Sequence, residues 1–450
     1  MSTHMELLTD FYELSMAAVY FQEGMYEPAT FSLFIRDYPP NRAYFISAGL
    51  EEVLSYLETF RFTRDDLDYL DSTGLFSSDF LHYLHSLQFT GLVRAIPEGR
   101  LFFKDEPILE VTAPIIQAQI IESFVINTIN LQVLLATKAS RCVYAAKGRG
   151  LIDFSLRRTQ GPDAGLRMAR SGYLAGMNGT SNVLAGKMYG IPVSGTMAHS
   201  FVTSFLDELE AFRAFARVFP QNTVLLIDTY DTLSGAEKAV RIAREMEEQG
   251  LQLSGVRLDS GDMLQLSRQV RDLFNREGLD YIRIFASGGF DEYKIQEMDR
   301  QGAMIDAFGV GTKVGVSADA PYTDIAYKLV KYAGHPVLKL SSGKKTLVDE
   351  KQVFRTEDNE RPVQDTIALG WENLDGEPLL KTVMESGKRN LQPDSLEDIR
   401  ERCQHELSRL DQRFKALESP DAYPVELSFE LVKLQAEVVH KVREKELGES

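Results

Sequence analysis

The sequence predicts an α/β protein centred on an irregular TIM-like (β/α) barrel, with an N-terminal α/β domain and a mostly helical C-terminal region. Three observations carry the barrel. From Thr223 onward, short apolar runs ending in polar or glycine residues alternate with amphipathic stretches, the pattern of repeated strand–helix units. The matching positions Asp228, Arg257 and Ala286 stand 29 residues apart, about one strand, one helix and two short loops. Polar clusters follow at least four successive strands; a barrel gathers functional groups in this way, whereas an open sheet concentrates them at a switch point.

In chain order, residues 1–127 mix strands such as "ATFSLFI" with helices such as "LEEVLSYLETF" and form the separate N-terminal domain. The barrel spans residues 128–341. Within it "TVLLIDTYD" is a buried strand ending at Asp228 and Asp231. "SGAEKAVRIAREMEEQG" then carries a capping box, Ser234 with Glu237, into a helix closed by Gly250. "LSGVRLDSGD" leads into a helix over Met263–Arg276, "YIRIFASGGF" into one over Asp291–Arg300, and "MIDAFGVGT" follows. Residues 342–450 are expected to be mostly helical and to pack on the other domains. "TEDNERP" and "ENLDGEP" are loop-like links. Over Ser395–Glu418 the residues Leu396, Ile399, Cys403, Leu407, Leu410, Phe414 and Leu417 fall on one helical face, which reads as core packing rather than a partner surface.

Composition narrows the function. The 450 residues, 44% hydrophobic and 26% charged, are ordinary globular values. With 49 basic and 66 acidic residues the net charge is −17, which opposes nonspecific nucleic-acid binding, so a phosphorylated substrate needs a local cationic pocket. The start resembles no signal peptide and no run approaches the ~18 apolar residues of a spanning helix. We therefore expect a cytoplasmic protein without membrane or nucleic-acid partners. Cys142 and Cys403 form neither metal-type spacing nor a disulfide scaffold.

The glycine pairs "ASGGF" and "FGVGT" supply Gly288 and Gly289 after one strand and Gly309, Gly311 and Thr312 after the next. Glycine lets backbone N–H groups approach an anion, and barrels often hold phosphate at their last two strand ends; either loop alone could equally be a tight turn. "VRLDSGD" adds Arg257, Asp259 and Asp262: cation for phosphate or pyrophosphate, carboxylates for a ribose hydroxyl or Mg2+, or else a helix cap and an internal ion pair. "DFSLRRTQG" joins Phe154 to Arg157, Arg158 and Gln160. An aromatic face beside a guanidinium suits a flat anionic ring, although the same residues could be a surface ion pair. "NGTSNVLA" contributes Asn178, Thr180, Ser181 and Asn182, and "GTMAHSFV" contributes Thr196 and His199; such runs pack tightly around a ligand or simply against another helix. A lone histidine like His199 is more often packing than chemistry. No nucleotide-triphosphate loop, H-E-x-x-H or G-x-S-x-G motif occurs.

In order, "LLTDFYELSM", "DFSLRRTQG", "NGTSNVLA", "GTMAHSFV", "VRLDSGD", "ASGGFDE", "FGVGT" and "YKLV" resemble the motif series of the nicotinate phosphoribosyltransferase family, from about Leu7 to Val330. The resemblance implies that nicotinate and 5-phosphoribosyl 1-pyrophosphate yield nicotinate mononucleotide and pyrophosphate, coupled to ATP hydrolysis, as the first step of NAD salvage. It implies ligase-class glycosyl transfer with Mg2+, and a homodimer with shared active sites in which Tyr12 of one subunit sandwiches the pyridine against Phe154 of the other. By the same resemblance Arg157 serves the substrate side and Thr196 contacts nicotinate. Arg257 and Thr312 bind the donor, Asp259 the ribose or its metal, and Gly288, Gly289 and Gly311 the 5-phosphate. His199 takes the position of the phosphohistidine.

Acid against amide turns on Ser181. The related nicotinamide enzyme has a carboxylate there, which would repel nicotinate, so Ser181 with Arg157 favours the acid. The rival readings are a nicotinamide or quinolinate phosphoribosyltransferase and a non-catalytic phosphosugar-binding regulator.

Overall fold

A computed structural model describes residues 5–340, 346–390 and 392–448. Its contacts group the chain into two compact units, Leu135–Pro321 and the remainder, Met1–Leu134 with Tyr322–Ser450.

In the unit Leu135–Pro321, six strands form one parallel sheet. Across the sheet they run Gly179–Thr180, Gly150–Asp153, Ala307–Val310, Arg283–Ala286, Gly255–Leu258 and Val224–Leu226. The short strands Gly179–Thr180 and Val224–Leu226 are its edges, so the expected barrel is an open half-barrel. Helices Thr232–Glu247, Met263–Arg276 and Glu292–Arg300 connect successive strands where the 29-residue period placed them. Along Arg283–Ala286 the fully buried Ile284 and Ala286 alternate with the less buried Arg283 and Phe285, the period of two that gives a strand one covered face and one open face.

The helix starts are capped by aspartates. Asp231, Asp262 and Asp291 each accept from a backbone N–H three residues on, at Ser234, Gln265 and Lys294. The expected capping box at Ser234 is therefore displaced: Ser234 is the third helical residue and offers its backbone N–H, because the ionised Asp231 side chain is the stronger acceptor.

The other unit contains a seven-stranded antiparallel sheet in the order His335–Pro336, Ile325–Tyr332, Pro28–Ile35, Leu109–Pro114, Leu92–Ala95, Lys381–Glu385, Lys388–Arg389. The strand carrying "YKLV" was expected inside the barrel segment 128–341. Instead it pairs with Pro28–Ile35, where Tyr327 stacks on Phe31 at 4.8 Å and its hydroxyl donates to the Ala118 carbonyl at 2.9 Å. That partner satisfies both the strand's backbone and its apolar face.

The mostly helical C-terminal region is also corrected. Strands Lys351–Asp358 and Arg361–Leu369 form a hairpin flanked by Glu377–Pro378 and Val425–Leu427, and this sheet shares the region with helices Leu396–Arg409 and Phe429–Leu447. "TEDNERP" is the hairpin turn: Asn359 and Glu360 both adopt positive φ, 48° and 63°, which matches the twist of the flanking strands. Buried Arg355 donates to Asp365 at 2.6 Å and to Glu406 at 3.0 Å, fixing the hairpin to the helix Leu396–Arg409. The apolar stripe is core, with Ile399, Cys403, Leu410, Phe414 and Leu417 all buried, but the helix ends before Leu410, and Phe414 sits on the short helix Gln412–Lys415. Among the described residues no helix is long and apolar enough to cross a membrane.

Candidate active site

At the C-terminal ends of the parallel strands lies a cavity of about 720 Å³. Its lining includes Phe154, Arg157, Ser181, Thr196, His199, Arg257, Asp259, Gly288, Gly289, Gly311 and Thr312, so residues that are up to 158 positions apart meet in one space. Such a gathering is what parallel strands with βα loops produce. Tyr12 is the one predicted site residue elsewhere. It sits half-exposed on the helix Phe11–Gln22 of the other unit, its phenol pushed above its ordinary pKa by burial and by the nearby Glu122 carboxylate.

The loop after Gly150–Asp153 is fixed by one buried carboxylate. Asp153 accepts from the Ser155 N–H and from the Thr180 hydroxyl, both at 2.8 Å, and its carbonyl accepts from the Ser181 N–H at 2.8 Å. Phe154 and Ser181 are thereby held side by side. The other polar residues of "NGTSN" are structural: Asn178 Oδ1 accepts from the Leu151 N–H, Thr180 is buried against Asp153, and Asn182 caps the helix Val183–Tyr189.

Arg257 lies across the cavity, its guanidinium carbon 5.9 Å from the centre of the Phe154 ring. Nη1 donates to the Thr196 hydroxyl at 2.5 Å, while Nε is buried without a hydrogen-bond partner. Burial pulls the pKa of this guanidinium down, against the opposing pull of Asp259 and Asp228. A desolvated cation with an unused N–H beside an aromatic face is a place for a planar anion.

His199 begins the helix His199–Thr203 with its side chain 42% exposed. Its Nδ1 lies 3.1 Å from the Thr229 hydroxyl and its Nε2 lies 3.9 Å from Asp259 Oδ2. Asp259 also accepts a short hydrogen bond from Ser287. Asp228 accepts from the Asp259 N–H at 3.0 Å and the Ser260 hydroxyl at 2.6 Å, and its Oδ1 is buried without a partner. Asp262 faces no such cluster and caps its helix, as its alternative reading held.

The glycine loops are demanding. Gly288 has φ +90°, and a Cβ there would fall 2.1 Å from the Asp259 carbonyl oxygen; a Cβ on Gly309 would fall 2.5 Å from the Phe154 ring. The two loops are joined by Asp291, which caps the helix Glu292–Arg300 with one oxygen and accepts from Lys313 Nζ at 2.8 Å with the other. Thr229, Ser287, Asp291 and Lys313 were not singled out as site residues in the sequence, where Asp291 was read only as a helix start. Their one sequence signal is position, since each stands within three residues of a strand-end motif.

Among the described residues no group of three or more His, Cys, Asp or Glu side chains is placed to hold a metal ion by itself. Asp259 and Asp228 nonetheless offer carboxylate oxygens at adjacent strand ends.

Three models of nicotinate phosphoribosyltransferase match along the chain: its N-terminal domain over residues 7–130, the family itself over 150–365 and its C-terminal domain over 346–435. The chain is 45% identical to a nicotinate phosphoribosyltransferase of Mycobacterium tuberculosis, covering 96% of this chain and 94% of that one. It is 36% identical to that of Bacillus subtilis, covering 99% and 98%. The crystal structure of human nicotinic acid phosphoribosyltransferase superposes with a TM-score of 0.86 at 30% identity, over 96% of this chain and 99% of the other. Matched along nearly its whole length in sequence and in fold, the chain belongs to the nicotinate phosphoribosyltransferase family.

Proposed function

We propose that the protein joins nicotinate to the phosphoribosyl group of 5-phosphoribosyl 1-pyrophosphate, coupled to ATP hydrolysis through phosphorylation of His199, and so supplies nicotinate mononucleotide to NAD salvage. The observation that carries the reading is the meeting, in one cavity, of an aromatic face with a desolvated guanidinium and of a histidine with two glycine loops. Nicotinate stacks on Phe154. Its carboxylate takes the unused N–H of Arg257, with Thr196 and Arg157 beside it; this assigns Arg257 to the acceptor as well as to the donor side that the resemblance gives it. Ser181 leaves the acid unopposed. Gly288, Gly289, Gly311 and Thr312 hold the donor's 5-phosphate, and Asp259 the ribose.

The pyridine nitrogen carries a free lone pair at neutral pH, so transfer needs placement more than a general base. Nitrogen forms the new bond to the anomeric carbon as the bond to pyrophosphate breaks. Mg2+ would neutralise charge on the departing pyrophosphate, and Asp259 with the unpartnered Asp228 oxygen fits as its protein contact, since Mg2+ takes most of its ligands from water and phosphate. For His199, a Thr229 hydroxyl accepting from Nδ1–H leaves the Nε2 lone pair toward the cavity and Asp259. Nε2 then attacks the γ-phosphorus of ATP, and ADP leaves with the electrons of the broken P–O bond. A cytoplasmic homodimer that sets Tyr12 of one subunit over Phe154 of the other completes this reading.

One assay tests it: nicotinate, nicotinamide and quinolinate in parallel, each with donor and Mg2+, with and without ATP. We expect mononucleotide from nicotinate and stimulation by ATP; equal rates with nicotinamide would overturn the role of Ser181. His199→Asn should lose labelling from γ-labelled ATP and keep slow, ATP-independent synthesis. Labelling that persists would remove His199 from the reaction.

A further inference from the structure

The segment of the helix Glu122–Ala146 within the unit Leu135–Pro321 carries Lys138, Arg141 and Cys142, spacings of three and four that set all three side chains on one helical face. The two cations are almost completely buried. Lys138 Nζ lies 2.5 Å from Glu292 Oε2 and 2.5 Å from Asp319 Oδ1. Arg141 Nε donates to Glu292 Oε1 at 3.0 Å, and its Nη2 to the Tyr293 hydroxyl at 3.2 Å. Tyr293 in turn donates toward Asp319 Oδ2 at 3.4 Å, and both cations lie under 6 Å from the Tyr293 ring centre.

What the cluster connects gives it meaning. Glu292 and Tyr293 are the first two residues of the helix that follows the Gly288–Gly289 loop, whereas Asp319 lies a few residues beyond the helix Thr312–Gly315 that follows Gly311. Lys138 therefore ties together the segments that follow the two glycine loops, while Asp291 with Lys313 ties them at residues closer in sequence to the glycines. Burying a lysine between two carboxylates costs desolvation that apolar residues would avoid, so the arrangement is poorly explained by stability alone. It does fix a distance: one ammonium of set radius holds the start of the helix Glu292–Arg300 and the segment just past the end of the helix Thr312–Gly315.

We propose that Lys138, with Arg141, is a positioning centre that sets the separation of the two anion-binding loops and thereby the affinity for the phosphoribosyl donor, without touching it. The inference rests on the reading that these loops hold the donor's phosphate. A loop displaced by about 1 Å loses alignment worth up to a hundredfold.

The test compares the full-length enzyme with Lys138→Met, Tyr293→Phe, Asp319→Asn and, in the loop itself, Gly289→Ala. Tyr293→Phe and Asp319→Asn remove one bond each at the edge of the cluster and keep the variant set informative if Lys138→Met does not fold. Measured are KM for donor and for nicotinate, kcat, and calorimetric binding of ribose 5-phosphate to the enzyme without other substrates. The expected result is a donor KM and a ribose 5-phosphate Kd raised about tenfold in Lys138→Met and about threefold in the two edge variants, with the nicotinate KM unchanged. Unchanged donor KM and ribose 5-phosphate Kd in folded variants, with both raised in Gly289→Ala, would overturn the positioning role and keep the phosphate reading. If Gly289→Ala also leaves both unchanged, the phosphate reading itself falls.

Discussion

His199, at the start of the helix His199–Thr203, and Thr229, in the loop after the strand Val224–Leu226, meet with Nδ1 and Oγ1 3.1 Å apart. That contact turns an exposed imidazole into an oriented one, with the opposite nitrogen facing Asp259. Thr229→Val keeps the shape and deletes the hydroxyl. ATP-dependent synthesis should fall roughly fivefold, the equivalent of about 1 kcal/mol for one lost hydrogen bond, while ATP-independent synthesis is unchanged. Phosphoenzyme formation measured by rapid quench checks it; an equal loss with and without ATP would count against the orienting role.

Gly288→Ala puts a methyl group where the Asp259 carbonyl stands, at a φ of +90°. The strained conformation alone costs about 1–3 kcal/mol. We expect a lower Tm and a donor KM raised about tenfold or more, with the nicotinate KM affected least; the three values from one preparation decide it.

Ser181→Asp places a carboxylate at the cavity wall beside Phe154. Repulsion of the substrate anion should lower kcat/KM for nicotinate at least about tenfold, a loss of about 1.4 kcal/mol, and narrow the gap to nicotinamide. Unaltered discrimination between acid and amide would show that Ser181 is only a neighbour.

Glu13, on the helix that carries Tyr12, is pushed up to about 7, chiefly by burial, against hydrogen bonds from Thr9 and Ser123. A carboxyl raised in the folded state stabilises the fold while protonated. That contribution is present in full below its ordinary value near 4.5 and is lost as pH rises through about 7. Glu13→Gln removes the titration, so the fall in Tm between pH 5 and pH 8 should be smaller in the variant than in the parent, as calorimetry at both pH values will report.

Much of the parallel unit was legible because its information is local. The 29-residue period, the apolar runs and the glycine pairs located the four strands from Val224 to Val310 and the helices Met263–Arg276 and Glu292–Arg300 to within a residue or two, whereas Gly150–Asp153 and Gly179–Thr180 were not read as strands. Illegible were features decided by partners distant in sequence. Ile325–Tyr332 has the composition of a parallel strand, and only the free edge of Pro28–Ile35, almost 300 residues earlier, makes it antiparallel. The hairpin at Asn359 and Glu360 contains no Asn-Gly or Asp-Gly signal, so it passed for a link. In the site, Phe154, His199 and the glycines stood out by residue type. Thr229 and Ser287 are ordinary hydroxyls whose importance comes from what faces them.

The order of strands in the parallel sheet also governs when the cavity can exist. Gly150–Asp153, the first strand made in that unit, lies beside Ala307–Val310, the last. Phe154 thus waits for Gly309 and Gly311 until over 150 further residues have left the ribosome. The strand pairing that builds the pocket has the largest sequence separation in its sheet, and such contacts form late because they close the longest loop. A nascent chain stopped before Ala307 can already hold the strands of Asp228, Arg257 and Ala286 side by side, yet it has no floor on which a substrate could rest.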